Sequence, residues 1–237
     1  MKYKAIFSNS KGTVETEISE ETLLETSEYF YPMIINGVNI ETDGFESLTI
    51  DNPEQYSENQ LTQFEYDITY PYKDKEKKLL VLKNYQLKAF IPIHVREIKS
   101  GERIEAEMQI KIYQNGNTVV LKTCSLLGKD SDKFDWKFDW EIGFQEVQDK
   151  LADCYCMETC SNCKNSWWNP YGGNEFFNQL CFVIDAEAFQ AIKDKNKDSI
   201  SRFMKYKKYD NYDNFQRVQL TDYCDKFEPR HRKSTNA

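Results

Sequence analysis

Ile104-Glu105-Ala106-Glu107-Met108-Gln109-Ile110-Lys111-Ile112-Tyr113-Gln114-Asn115-Gly116-Asn117-Thr118-Val119-Val120-Leu121-Lys122-Thr123-Cys124-Ser125-Leu126 is the stretch that sets the fold class. Ile104, Ala106, Met108, Ile110 and Ile112 alternate with Glu105, Glu107, Gln109 and Lys111. That is the two-residue period of a strand with one face in a core and the other in water. Asn115-Gly116 interrupts the alternation and suits a type I′ turn, whose twist matches that of the flanking strands. A two-residue turn at this point pairs Ile112 with Val119 and Ile110 with Leu121, so the expectation is a hairpin with the apolar side chains of both strands on one face. The same register sets Cys124 opposite Glu107, on the other face, as a structural or incidental thiol and not a ligand.

Working outward, the strand pattern recurs on the N-terminal side. Residues 3–7 and 13–18 flank Asn9-Ser10-Lys11-Gly12 as an opening hairpin, and residues 37–40 and 47–50 are short strand candidates. Over residues 62–70, Phe64, Tyr66, Ile68 and Tyr70 alternate with polar partners, as a half-buried strand would; Ile91, Ile93 and Val95 do the same. The C-terminal side differs. Phe134, Trp136, Phe138 and Trp140 alternate, and then Phe144, Val147 and Leu151 recur at helical spacing, which predicts a helix over about 140–153. Phe182-Val183-Ile184 reads as a buried strand, and Asp185 as the N-cap of a short helix carrying Ala188, Phe189 and Ile192. A further helix over 199–206 and a terminal strand over 217–223 complete the reading. The fold class expected is α+β and β-rich: an antiparallel sheet or sandwich-like N-terminal part, with a zinc-ribbon-like cysteine insert and short helices in the C-terminal part. One domain over 1–237 is expected, with a β-rich part to about 138, a helix and cysteine-clasped part over about 139–228, and a polar, basic tail over 229–237.

Composition narrows the function classes. The formal net charge of -8 disfavours a nucleic-acid partner, which requires concentrated positive surface. It suits solubility or a basic protein partner. Aromatic residues make up 14% of the chain, a bias that suits strands and contact surfaces. No apolar run is long enough for a bilayer span or a signal peptide, so the expected location is cytoplasmic, with no membrane association. In that compartment clustered thiols bind metal more often than they form bridges.

Five of the seven cysteines fall between Cys154 and Cys181, in Cys154-Tyr155-Cys156-Met157-Glu158-Thr159-Cys160-Ser161-Asn162-Cys163 and then Cys181; Cys224 stands apart. Cys160 and Cys163 form a C-x2-C pair, the spacing that lets two thiolates of one tight turn reach one ion. Cys181 follows at a separation normal for the second half of a ribbon-type or treble-clef site. A closed structural zinc site takes four ligands. Spacing leaves the fourth open among Cys154, Cys156 and Cys224.

Cys160-Ser161-Asn162-Cys163-Lys164-Asn165-Ser166, then Asn169-Pro170-Tyr171-Gly172, then Leu180-Cys181-Phe182, together with residues 218–230, resemble the signature of an uncharacterised bacterial protein family, a domain of unknown function. Its pattern is C-x2-C-x2-S-x3-P-Y-G followed by a Cys-Phe pair and a C-terminal cysteine block. The resemblance implies Cys160, Cys163, Cys181 and Cys224 as the ligands of one structural zinc per chain. Cys154 and Cys156, without counterparts in that pattern, stay in reserve. The family brings no activity with it.

Catalytic signatures are absent: the chain has no P-loop, G-x-S-x-G, H-E-x-x-H or G-x-G-x-x-G. Of its two histidines, His94 sits on the polar face of a strand and His231 in the basic tail. The aromatic loop carrying Trp167, Trp168 and Tyr171 lies between two expected ligands. Those rings either cover the metal core or present a rigid contact surface. The reading is a non-enzymatic protein-interaction or binding module of inhibitor or immunity type. The alternative is a hydrolase-type enzyme with an active site beside the zinc-clasped aromatic loop. No oligomeric state follows from the sequence.

Overall fold

The computed structural model describes residues 2–23, 28–42, 44–70, 76–116, 118–131, 139–168, 179–193, 195–206, 216–218, 222 and 224–230. Residues 1–92 and 107–138 make up one compact unit, and residues 93–106 and 139–237 a second.

The first unit is β-rich. Its elements are β1 (Lys2–Asn9), β2 (Gly12–Ser19), β3 (Glu21–Leu23), β4 (Glu28–Phe30), β5 (Met33–Ile35), β6 (Val38–Ile40), β7 (Thr49–Asp51), α1 (Glu58–Leu61), β8 (Glu65–Thr69), β9 (Leu79–Lys83), β10 (Tyr85–Glu97), β11 (Arg103–Asn115), β12 (Thr118–Leu126) and β13 (Lys129–Asp130). β10 and β11 run on into the second unit. Among the described residues the main sheet has the order β13-β12-β11-β10-β1-β2-β5-β6; β7-β9-β8 form a smaller sheet and β3-β4 a ribbon. The opening hairpin is as the sequence predicts, with Asn9 paired to Gly12 and Tyr3 to Ile18. Period-two alternation builds the core: Tyr3, Ala5 and Phe7 of β1, Leu87, Ala89 and Ile91 of β10, and Met108, Ile110 and Ile112 of β11 are all buried. Phe7 stacks on Tyr85 at 5.7 Å and meets Phe64 edge-on at 6.0 Å. Each such side chain contributes about 1.5–3 kcal/mol by leaving water.

The hairpin of β11 and β12 forms, but in a different register from the one expected. Asn115 pairs with Thr118, so the turn is centred one residue beyond Asn115-Gly116, and the register shifts again between Tyr113 and Gln114. Ile112 therefore faces Lys122, and Ile110 faces Cys124. One extra residue in a strand reverses its alternation. As a result Cys124 is fully buried beside Ile110, and Lys122 enters the core face with its Nζ donating to Glu46 Oε1 at 2.7 Å. A second correction concerns β8. Ile68 and Tyr70 are more than half exposed, because β8 is the edge of the β7-β9-β8 sheet and nothing described covers its far end.

In the second unit, α2 (Trp140–Leu151) starts at Asp139, whose Oδ1 accepts the amides of Glu141 and Ile142. Such a cap satisfies amides that the first helical turn leaves without partners. Trp140, Phe144, Val147 and Leu151 form its buried stripe, as their spacing predicts. The alternating run before it, residues 132–138, lies outside the described residues. β14 (Tyr155–Met157) pairs with residues 95–97 of β10. β15 (Ser166–Trp168), β16 (Gln179–Cys181) and β17 (Gln216–Val218) form a three-stranded antiparallel sheet. α3 (Ala186–Gln190) and α4 (Lys197–Tyr206) supply Phe189, Ile200 and Met204, which pack with Leu180 and Phe182 as one cluster.

Two expectations change here. Phe182-Val183-Ile184 is not a strand: β16 ends at Cys181, Val183–Asp185 is a 3-10 turn, and Ile184 is 68% exposed. Phe182 is buried alone, its ring stacked on Phe189 at 4.5 Å. Asp185 precedes α3 as predicted, yet its side chain makes no capping bond. Of the expected terminal strand, Gln216–Val218 is described as β17, and residues 219–221 and 223 lie outside the described residues.

Candidate metal centre

Cys160 and Cys163 bracket a 3-10 turn, Cys160–Asn162, closed by the Cys163 amide donating to the Cys160 carbonyl at 3.2 Å. Ser166 fastens the turn from the side, its Oγ donating to the carbonyls of Cys160 and Cys163. Its strand partner is Cys181, so β15-β16 pairing carries the third cysteine to the same turn.

The C-terminal segment is laced to this turn by backbone bonds. The Cys160 amide donates to Asp222 O at 2.6 Å, the Lys164 amide to Glu228 O at 2.8 Å, and the Arg230 amide to Asn162 O at 2.8 Å. Cys163 and Pro229 form an isolated bridge, and Cys224 lies within this segment. Arg230 anchors its end: the guanidinium donates to Ser166 O at 3.0 Å, reaches Glu141 of α2 at 3.4 Å, and lies over the Trp167 ring at 5.1 Å.

Cys160, Cys163 and Cys181 are buried, and these three are free thiols. Burial pushes the Cys160 thiol far up, and Asp222 and the thiols of Cys181, Cys163 and Cys224 add to the effect. Cys181 is raised by burial, against the Val183 amide that favours its thiolate, and further by Cys224, Cys163 and Asp222. Without a cation, Cys160 and Cys181 stay protonated at neutral pH. A divalent ion reverses that balance, because its charge offsets the mutual repulsion of the thiolates. The donor set suits zinc by chemistry: four thiols, with one backbone amide already donating to a sulfur as an outer partner. Among the described residues, however, no group of three or more His, Cys, Asp or Glu side chains is arranged to hold a metal ion. The thiols are not drawn onto a common point.

The reserve cysteines lie differently. Cys154 is exposed; Cys156, in β14, accepts from Asn162 Nδ2 at 3.3 Å through its sulfur. Trp167 packs against the Leu180, Phe182 and Phe189 cluster and is half-buried. The Trp168 backbone pairs with Gln179 in β15-β16, and Tyr171 lies outside the described residues.

Two supports of this region escaped the sequence reading. Gln148, a polar residue in mid-helix, is buried: its Oε1 accepts the Met157 amide at 2.7 Å and Asn162 Nδ2 at 3.1 Å, and its Nε2 donates to Tyr155 O. Glu158 is 1% exposed and takes Arg96 Nε at 2.6 Å on one oxygen and Arg103 Nε at 2.6 Å on the other. The signal for the second was present, since Arg96 and Arg103 stand at the two ends of a short hairpin loop, but nothing local named Glu158 as their partner. Comparison of the chain with protein families, curated proteins and solved structures finds no match.

Proposed function

We propose that the chain is a binding protein whose second unit is locked by one structural zinc on Cys160, Cys163, Cys181 and Cys224, a zinc-ribbon-like clasp. The observation that supports this reading is the bonding of Asp222, Glu228 and Arg230 to the backbone of residues 160–164, beside the pairing of Ser166 with Cys181. Four thiolates leave no open coordination position, so the ion cross-links and does not activate water. The clasp supports the aromatic segment at Trp167 and Trp168, a surface for a protein partner in the inhibitor or immunity style. Kinship with the uncharacterised cysteine-signature family belongs to the same proposal. Among the described residues no helix is long and apolar enough to cross a membrane.

Elemental analysis of the purified protein tests the clasp. One zinc per chain is expected, retained in Cys154→Ser and Cys156→Ser and lost in Cys160→Ser and Cys224→Ser. Fully folded protein that is free of metal and takes up none on titration overturns it.

A further inference from the structure

The first unit carries a second, separate feature. A concavity of about 720 Å³ opens between the tip of the β1-β2 hairpin, β8, the β9-β10 corner and β11. Among the described residues its lining is hydroxyls and amides with two tyrosines, a single carboxylate (Glu65) and one aliphatic side chain, and no Lys, Arg, His or Cys.

Three observations show that this surface is organised. Glu65 is fixed at both oxygens, accepting from Ser10 Oγ at 2.7 Å and Asn84 Nδ2 at 2.5 Å. Those bonds hold its carboxyl below the usual carboxylate range. Asn84 is itself held: its φ is +55°, in the left-handed region that few non-glycine residues enter, and its Oδ1 accepts the Gly116 amide at 2.7 Å. Gln114 is more than nine-tenths buried, yet among the described residues its Oε1 has no hydrogen-bond partner. A buried acceptor without a partner is a standing penalty, and such exceptions call for an explanation.

The half-buried Tyr113 and the buried Gln114 both line the concavity, beside Val120, the extra residue of β12 at the register shift.

We propose that this concavity binds a neutral saccharide. A planar amide can meet two neighbouring hydroxyls of a sugar ring, donating to one and accepting from the next, and a fixed carboxylate can accept from both. Glu65 keeps lone pairs beyond those used by Ser10 and Asn84, and Asn9, Gln86 and Asn115 add side-chain amides to the lining. Tyr113 offers an aromatic face to the apolar C–H side of the ring while its hydroxyl stays polar. The one charge in the described lining is negative; Lys11 and Lys83 act on Glu65 from outside it, and no described lining residue offers a cation to a phosphate or carboxylate directly. An apolar peptide segment finds only Val120 and the two rings. The site uses no residue of the metal centre.

Saturation-transfer NMR of the full chain with cellotetraose, maltotetraose and chitotetraose tests the proposal. At least one of the three binds, with a Kd below about 1 mM. Tyr113→Ala and Glu65→Gln each weaken that binding by about tenfold or more. Val120→Glu, at a half-exposed lining position, weakens it comparably, with an unchanged far-ultraviolet circular dichroism spectrum as the check on folding. Glu107→Gln, outside this lining, leaves it unchanged. Absence of binding to all three sugars overturns the proposal. So does binding that Val120→Glu and Glu65→Gln leave intact.

Discussion

At the residue scale the most consequential position is Lys122. Its ammonium lies at 3% side-chain exposure against Glu46, which is one-third exposed, at 2.7 Å. Placing a charge in a core is unfavourable unless a partner compensates it, and the two members of such a pair are not equivalent. Glu46→Ala withdraws a carboxylate from a buried ammonium and should lower stability by about 2–4 kcal/mol. Lys122→Met replaces the charge with an apolar chain of similar length, while water can solvate the remaining Glu46; its expected cost is below about 1 kcal/mol. Urea unfolding of both variants checks the order, and an equal loss in the two would show that the pair is not what holds Lys122 inside. No sequence rule placed Lys122 there, since its alternation assigned it to the opposite face until a one-residue register shift turned it inward.

At the element scale, α2 links sequence to site most directly. Its buried stripe is a local property, readable from spacing, whereas the cap at Asp139 went unassigned in the sequence despite the capping preference of aspartate. Asp139→Ala should cost about 1 kcal/mol, because two first-turn amides lose their acceptor. Phe144→Ala should cost about 3 kcal/mol or more, since it empties a fully buried site. Thermal unfolding monitored at 222 nm measures both, and a cap effect as large as the core effect would contradict the packing described. The polar side of α2 was opaque to periodicity. Gln148 and Glu141 look like solvated positions in sequence, yet one bonds the Cys160–Asn162 turn through Asn162 and the other meets Arg230.

At the scale of the whole molecule, the proposed clasp makes a regional prediction. Metal chelation should speed hydrogen exchange at the amides of Cys160, Lys164 and Arg230, all bonded within the laced segment, and leave the β1-β2 amides unchanged. Uniform acceleration in both regions, or none at all, would refute a local clasp. The pH response has a defined sign. The raised thiols of Cys160 and Cys181 must lose protons to bind an ion, so zinc uptake releases protons and affinity falls as pH is lowered. A zinc competition titration at pH 8 and pH 6 reads this directly, with the weaker binding expected at pH 6.

The sequence by itself determined the β-rich first part, the opening hairpin, the buried face of α2 and the C-x2-C turn, because each rests on periodicity or on contacts a few residues apart. Tertiary structure decided the register of β11 and β12, the exposed end of β8, the ending of β16 at Cys181, and the bonding of Asp222, Glu228 and Arg230 to the cysteine turn. Those outcomes depend on which distant backbone groups satisfy one another, and no local pattern of side chains encodes that choice.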